Sequence, residues 1–181
     1  MPSFFVFLPF LPAGLTLLFH AIGSTSLAER ILALALTLFC PELARMAFVD
    51  LRNISAIAQQ EDPQLQRFRK VVYSTIVLET VGFYTALVSL PIGASVIIVS
   101  QLWFNLLADI QLWPKETPAI VPLPANDRRA VLIANGIGIG LLGLWPIQET
   151  QIWLASGLLT LVTLFIVVKY SGLIVSPDVP K

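Results

Sequence analysis

The sequence predicts an all-α integral membrane protein with six transmembrane helices, or five on a stricter count, and with both termini cytoplasmic. Three observations lead there. The 181 residues are 56% hydrophobic and 12% charged, with a mean hydropathy of +0.83, whereas a soluble domain carries about a quarter charged residues. Apolar runs recur at close to the length of about 20 residues that a spanning helix needs. The few positive charges fall almost entirely into alternate connections between those runs. A single polytopic domain over 1–181 is the simplest organisation for a chain of this size.

The spans are expected at about 3–22, 27–49, 71–90, 94–112, 129–146 and 151–171. The first contains Pro9 and Pro12, which should kink it. Its opening, MPSFFVFLPFLPAG, lacks the positive start of a secretory signal, so this segment is expected to be retained. The second span has a core of only about ten uncharged residues, ILALALTLFC, bounded by Glu29 and Arg30 on one side and by Pro41, Glu42 and Arg45 on the other. It reads as a kinked span with snorkelling ends or as a partly inserted segment. The third, fourth and sixth are longer and cleaner.

Loop 50–70 holds Arg52, Arg67, Arg69 and Lys70, loop 113–128 holds Lys115 and Arg128 with Arg129 at its edge, and the C-terminal end holds Lys169 and Lys181. The opposite side has only Arg30. This partition favours counting the second segment as a span, since five spans would spoil it, and it puts both loops on the cytoplasmic side. Trp113, Trp145 and Trp153 fall near span ends, where an indole suits the interface, and Trp103 lies deeper. Loop 50–70 is interrupted by Pro63. Loop 113–128 has four prolines and should be an extended arm, either a cover over helix ends or a docking segment.

The polar residues inside these runs carry the functional reading. Glu79 shares a helix face with Thr75, Gly82 and Ala86, and small residues mark the face where another helix comes close. If the chain folds back about Ile92 in the PIG turn, Asn105 reaches the depth of Glu79. Gln101, Asn105 and Asp109 then continue as a stripe at four-residue spacing. Glu79, Asn105, Gln101 and Asp109 are therefore the candidate ligand-binding or proton site, with interhelical glue as the plainer role for the first three and a helix-end charge as that of Asp109. Gly136 and Gly140 form a GxxxG pair on the fifth helix and join Gly82 and Ala86 as packing positions, within the chain or against another subunit. Glu42 and Arg45 are three apart and should pair on one helical face. Glu29 and Arg30 should face headgroups.

His20, the one histidine, is a candidate axial ligand for a pigment or an interfacial residue. With one cysteine, Cys40, and one histidine, the chain alone builds no haem c attachment, iron–sulfur cluster or zinc site, and the cofactor is unassigned. Cys40 itself reads as a buried small hydrophobe. No catalytic residue set or metal site is recognisable, and no basic block argues for nucleic acid.

The partners expected are therefore the lipid bilayer and other membrane protein subunits, in a bacterial plasma membrane or a thylakoid-like membrane. Three functions fit: a non-catalytic subunit or assembly factor of a larger membrane complex, a small-solute transporter or substrate-binding component using the Glu79/Asn105/Gln101 seam, and a membrane-embedded enzyme with Glu79 as acid or base. In length, span count and orientation the chain resembles the substrate-binding subunits of energy-coupling-factor transporters. That similarity is one of outline, without a sequence signature.

Overall fold

The computed structural model of the chain describes residues 3–57, 62–113 and 119–171. Among them are six α-helices: α1 (Phe7–Gly23), α2 (Leu27–Ala56), α3 (Pro63–Ala86), α4 (Leu90–Leu107), α5 (Arg129–Gly143) and α6 (Gln151–Tyr170). Two short strands, β1 (Ile110–Trp113) and β2 (Ala119–Pro122), pair antiparallel with Ile110 opposite Pro122 and Trp113 opposite Ala119. Three helical segments, α2, α4 and Gln148–Tyr170, are long and apolar enough to cross a membrane. The other three expected spans differ for identifiable reasons. Helices α1 and α5 have 17 and 15 residues, less than the roughly 20 of a full crossing. Helix α3 begins with a charged turn containing Arg67, Arg69 and Lys70.

The segment with the shortest uncharged core is the longest helix. At 30 residues α2 continues past Pro41. Its start is fixed by Ser26, whose hydroxyl accepts the Glu29 backbone N–H; the serine and glutamate have capping-box spacing. Glu29 and Arg30, expected to face headgroups, are exposed and also close the α1–α2 turn. Ser24 donates its hydroxyl to Glu29 at 2.7 Å, and Arg30 donates Nε to the Ser24 carbonyl. Loop 50–70 is also mostly helix. Helix α2 continues to Ala56, and α3 starts at Pro63 behind Asp62, whose carboxylate accepts the Gln64 N–H at 2.6 Å. Proline in the first helical turn and an aspartate cap are standard start signals.

Helix α2 is central and touches α1, α3, α4 and α6. The larger core joins α1 and α2 to α3, α4 and α6 around Phe10, Leu17, Leu43, Phe83 and Ile97. Within it, Phe10 and Phe83 meet edge to face with ring centroids 5.7 Å apart. Cys40 is buried there and donates its thiol to the Phe10 carbonyl at 3.3 Å. A second core lies at the other end of α2, where Ile54, Leu65, Phe68 and Val72 receive Ile110 and Leu112 of β1. The proline-rich arm therefore folds back as a hairpin over helix ends, with the alternate residues Ile110 and Leu112 turned inward. Residues 114–118 at its tip, with Lys115, and the side chain of Trp113 lie outside the described residues, as does Lys181.

Helices α5 and α6 pack more loosely. Only 17% of the apolar window of Gln148–Tyr170 is buried inside the chain, and the buried residues of α6, Leu154, Ala155 and Leu158, all lie in its first half. Trp145 is half-buried against the larger core, Trp153 is exposed, and Trp103 donates its indole N–H to Ser74 at 3.1 Å.

Candidate functional site

The α3–α4 hairpin sets the geometry of the polar seam. Its turn is Leu87–Ser89, not the PIG sequence. Pro91 sits in the first turn of α4, where its missing N–H costs nothing, so the helix begins before the proline and the register moves by about one turn. Gly93 consequently packs on Ala86, and Gly82 on Ile97. Glu79 meets Gln101 instead of Asn105.

Gln101 donates its side-chain amide to Glu79 Oε1. Asn105 instead donates Nδ2 to the Gln101 backbone carbonyl at 2.8 Å, one turn back on its own helix. Glu79, Gln101 and Asn105 are all buried. Asp109 lies past the end of α4, its carboxylate 3.5 Å from Arg67 in a pair exposed on both sides. It stands apart from the seam, and its backbone carbonyl accepts the Leu123 N–H. Such a surface pair contributes about 0–1 kcal/mol. We expect Asp109→Asn to change unfolding free energy by no more than about 1 kcal/mol in a denaturant titration, and a larger loss would give Asp109 a structural role beyond this pair.

A residue outside the expected set completes the seam. Asp50 of α2 lines a small cavity together with Thr75, Glu79, Gln101 and Phe104. It looked like the first residue of a loop because the apolar run ends at Val49. The helical spacing of Leu43, Ala47, Asp50 and Ile54, four, three and four residues apart, contains the signal that Asp50 continues the inward face of α2. Thr75 is 5% exposed, and its buried hydroxyl has no hydrogen-bond partner among the described residues.

A second polar centre lies nearby on α2. The Glu42 carboxylate accepts Arg45 Nη2 at 2.9 Å and Nε at 3.0 Å, as the three-residue spacing predicts. It also receives Lys169 Nζ at 2.6 Å and the Tyr170 hydroxyl at 2.8 Å, both from the end of α6. Arg45 and Lys169 in turn act electrostatically on Asp50, and Asp50 on Glu79, so the two centres share one field.

The remaining positions are separate. His20 Nε2 is 3.9 Å from Glu29 at the α1–α2 turn. Carbons added at Gly136 and Gly140 would meet nothing within 4 Å, whereas one added at Gly138 would lie 2.9 Å from Ile98 Cδ1. Among the glycines of the fifth helix it is thus Gly138 that packs on α4, and the GxxxG pair presents open space. Arg128, before α5, is buried and donates Nη2 to the Leu123 carbonyl at 2.8 Å; burial lowers its pKa, while Asp109 and Asp127 act to raise it. No group of three or more metal-ligating side chains is found among the described residues.

Beside Asn135, Gln101 also lines a second, larger and mainly apolar groove between α4, α5 and α6. The seam thus gathers buried polar and acidic side chains around a small cavity, while the α5–α6 side offers apolar surface. Compared with known protein families, curated proteins and solved structures, the chain has no match, so its site is defined by its own residues.

Proposed function

We propose that the chain is a multi-pass integral membrane protein that serves as a non-catalytic subunit or assembly factor of a larger membrane complex. The observation that carries this reading is the open face of α5 and α6. Gly136 and Gly140 lie beside the exposed Ile133 and Ile137, and Trp153 and Leu164 project from α6. Small residues flanked by large apolar ones let a neighbouring helix approach closely and pack in lipid. The distribution of Lys and Arg supports six crossings with cytoplasmic termini, and the membrane we propose is a bacterial plasma membrane or a thylakoid-like one.

Gentle detergent extraction of the tagged chain, followed by native sizing and mass spectrometry, should recover stoichiometric membrane partners. Gly136→Leu with Gly140→Leu should leave the chain folded, since both positions face open space, and release those partners. A wild-type chain that emerges alone would sink this reading. The cavity between Asp50, Glu79 and Gln101 favours a second reading, a small-solute transporter or substrate-binding component, which predicts a bound small molecule in the same extraction.

A further inference from the structure

The cavity at Asp50 and Glu79 has a composition that selects a particular kind of ligand. Two carboxylates reach it from different helices, Asp50 from α2 and Glu79 from α3. A pair of acids alone says little, because one proton would quiet it. The second observation is independent: Thr75 is 5% exposed, lines the same cavity, and its hydroxyl oxygen has no partner among the described residues. Buried hydroxyls are almost always hydrogen-bonded, and an unpaired one calls for an explanation such as an ion or water. Gln101, through its bond to Glu79 Oε1, has its amide nitrogen turned to the carboxylate, leaving its carbonyl oxygen as a further donor to a cation.

The charges nearby favour a monovalent ion. Fully ionised, Glu42 and Asp50 would carry two negative charges against the two positive ones of Arg45 and Lys169, which act on both. Those four balance. Glu79 is the remaining charge, and its other electrostatic neighbour is Cys40, whose buried thiol hydrogen-bonds to the Phe10 carbonyl. With those groups ionised, one monovalent cation, or one proton, balances Glu79, which favours a singly charged ion. The cavity is also small, with room for about one water-sized body. Hard cations take oxygen ligands of this kind, from carboxylates, carbonyls and water.

We propose that Asp50, Thr75, Glu79 and Gln101 form a binding site for one Na⁺ ion, for which a proton on Glu79 competes. The site goes beyond the subunit reading, and it deepens the transporter reading, on which only its coupling to flux would rest.

The test is binding of radiolabelled ²²Na⁺ to the purified full-length chain in detergent, with choline chloride holding ionic strength constant. We expect saturable binding of one ion per chain, with apparent affinity falling as pH is lowered. Glu79→Gln, which keeps a hydrogen-bond acceptor for Gln101 but removes the charge, should abolish binding. Thr75→Val should weaken it at least tenfold, and Thr75→Ser, which restores the hydroxyl, should recover it. Each variant is compared at matched gel-filtration profile, so that a misfolded protein is recognised as such. Absence of saturable ²²Na⁺ binding by the wild-type chain overturns the proposal, as does wild-type binding by either Thr75→Val or Glu79→Gln. Binding without ²²Na⁺ flux in proteoliposomes supports the site and removes uncoupled Na⁺ transport through it.

Discussion

Gly93→Ala should destabilise the chain by about 2 kcal/mol or more, the largest effect expected of any single methyl group in the fold. A carbon at Gly93 would lie 2.3 Å from the Ala86 backbone nitrogen, 2.4 Å from its Cα and 2.5 Å from its Cβ. Two of these three atoms are main chain and cannot rotate away, so α3 and α4 would have to separate. Overpacking of this kind costs about 1–3 kcal/mol even where side chains can adjust, and it outweighs the gain of up to about 1 kcal/mol from replacing a helical glycine by alanine. The same substitution at Gly82 should cost less. There the nearest atom is the Ile97 side-chain carbon Cγ1, at 2.6 Å, and the closest backbone atom is 3.1 Å away. At Gly140, with open space around it, alanine should be neutral or stabilising in the isolated chain. Cys40 supplies the readout, because its thiol is free and buried beside Gly14. Its labelling by a maleimide during a detergent-denaturant titration should move to lower denaturant most for Gly93→Ala and less for Gly82→Ala, and should not move to lower denaturant for Gly140→Ala. Equal midpoints for Gly93→Ala and Gly140→Ala would show that the hairpin tolerates a separation its backbone contacts oppose.

That hairpin also shows what the sequence made legible. The shared face of Thr75, Glu79, Gly82 and Ala86 follows from helical periodicity alone, and the four residues are all buried on α3. Which residue of α4 each one meets depends on where the turn begins. The PIG sequence offers two solutions, a proline-glycine turn or a proline in the first turn of a helix, and local chemistry alone does not choose between them. The second prevails, and the partner of Glu79 changes from Asn105 to Gln101. Asp50 was hidden differently. A search for apolar runs ends a helix where hydrophobicity ends, but α2 continues for two further turns because Ile54 still has Leu65, Phe68 and β1 to pack against. Partners distant in sequence, such as Lys169 and Tyr170 for Glu42, leave no periodic trace in either segment.

Those partners of Glu42 lead to the second large effect. Glu42→Ala should release the C-terminal half of α6 and cost about 3 kcal/mol. The buried residues of α6 all precede Thr160, so beyond that point the helix is held to α2 by the edge-to-face contact of Phe39 with Phe165, ring centroids 6.0 Å apart, and by the Glu42 centre. The carboxylate is buried and gathers Arg45, Lys169 and Tyr170, while the Lys169 and Arg45 side chains are 26% and 40% exposed. Removing one member of a buried ion pair costs about 3–5 kcal/mol because the other charge loses its partner. Partial exposure of the two cations places this site at the lower end of that range. Arg45 also stacks 5.6 Å from the Tyr170 ring centroid, and Lys169 lies 5.1 Å from that of Phe165. The aromatic contacts alone cannot replace the lost anion, since each contributes only about 0.5–2 kcal/mol. A double-mutant cycle isolates the interaction: Glu42→Gln and Lys169→Met should each destabilise, and the pair together should lose less than the sum by about 1–2 kcal/mol. Strict additivity would mean that Lys169 is not energetically coupled to Glu42, leaving Arg45 and Tyr170 as the carboxylate's energetic partners. The same release should be visible locally, because a cysteine introduced at Val167 in a Cys40→Ala background should become more mobile by spin-label spectroscopy in Glu42→Ala while one at Ala155, buried in the first half of α6, should not. A uniform change at both positions would indicate global unfolding, and no change at Val167 would show that α6 is held by its apolar contacts alone.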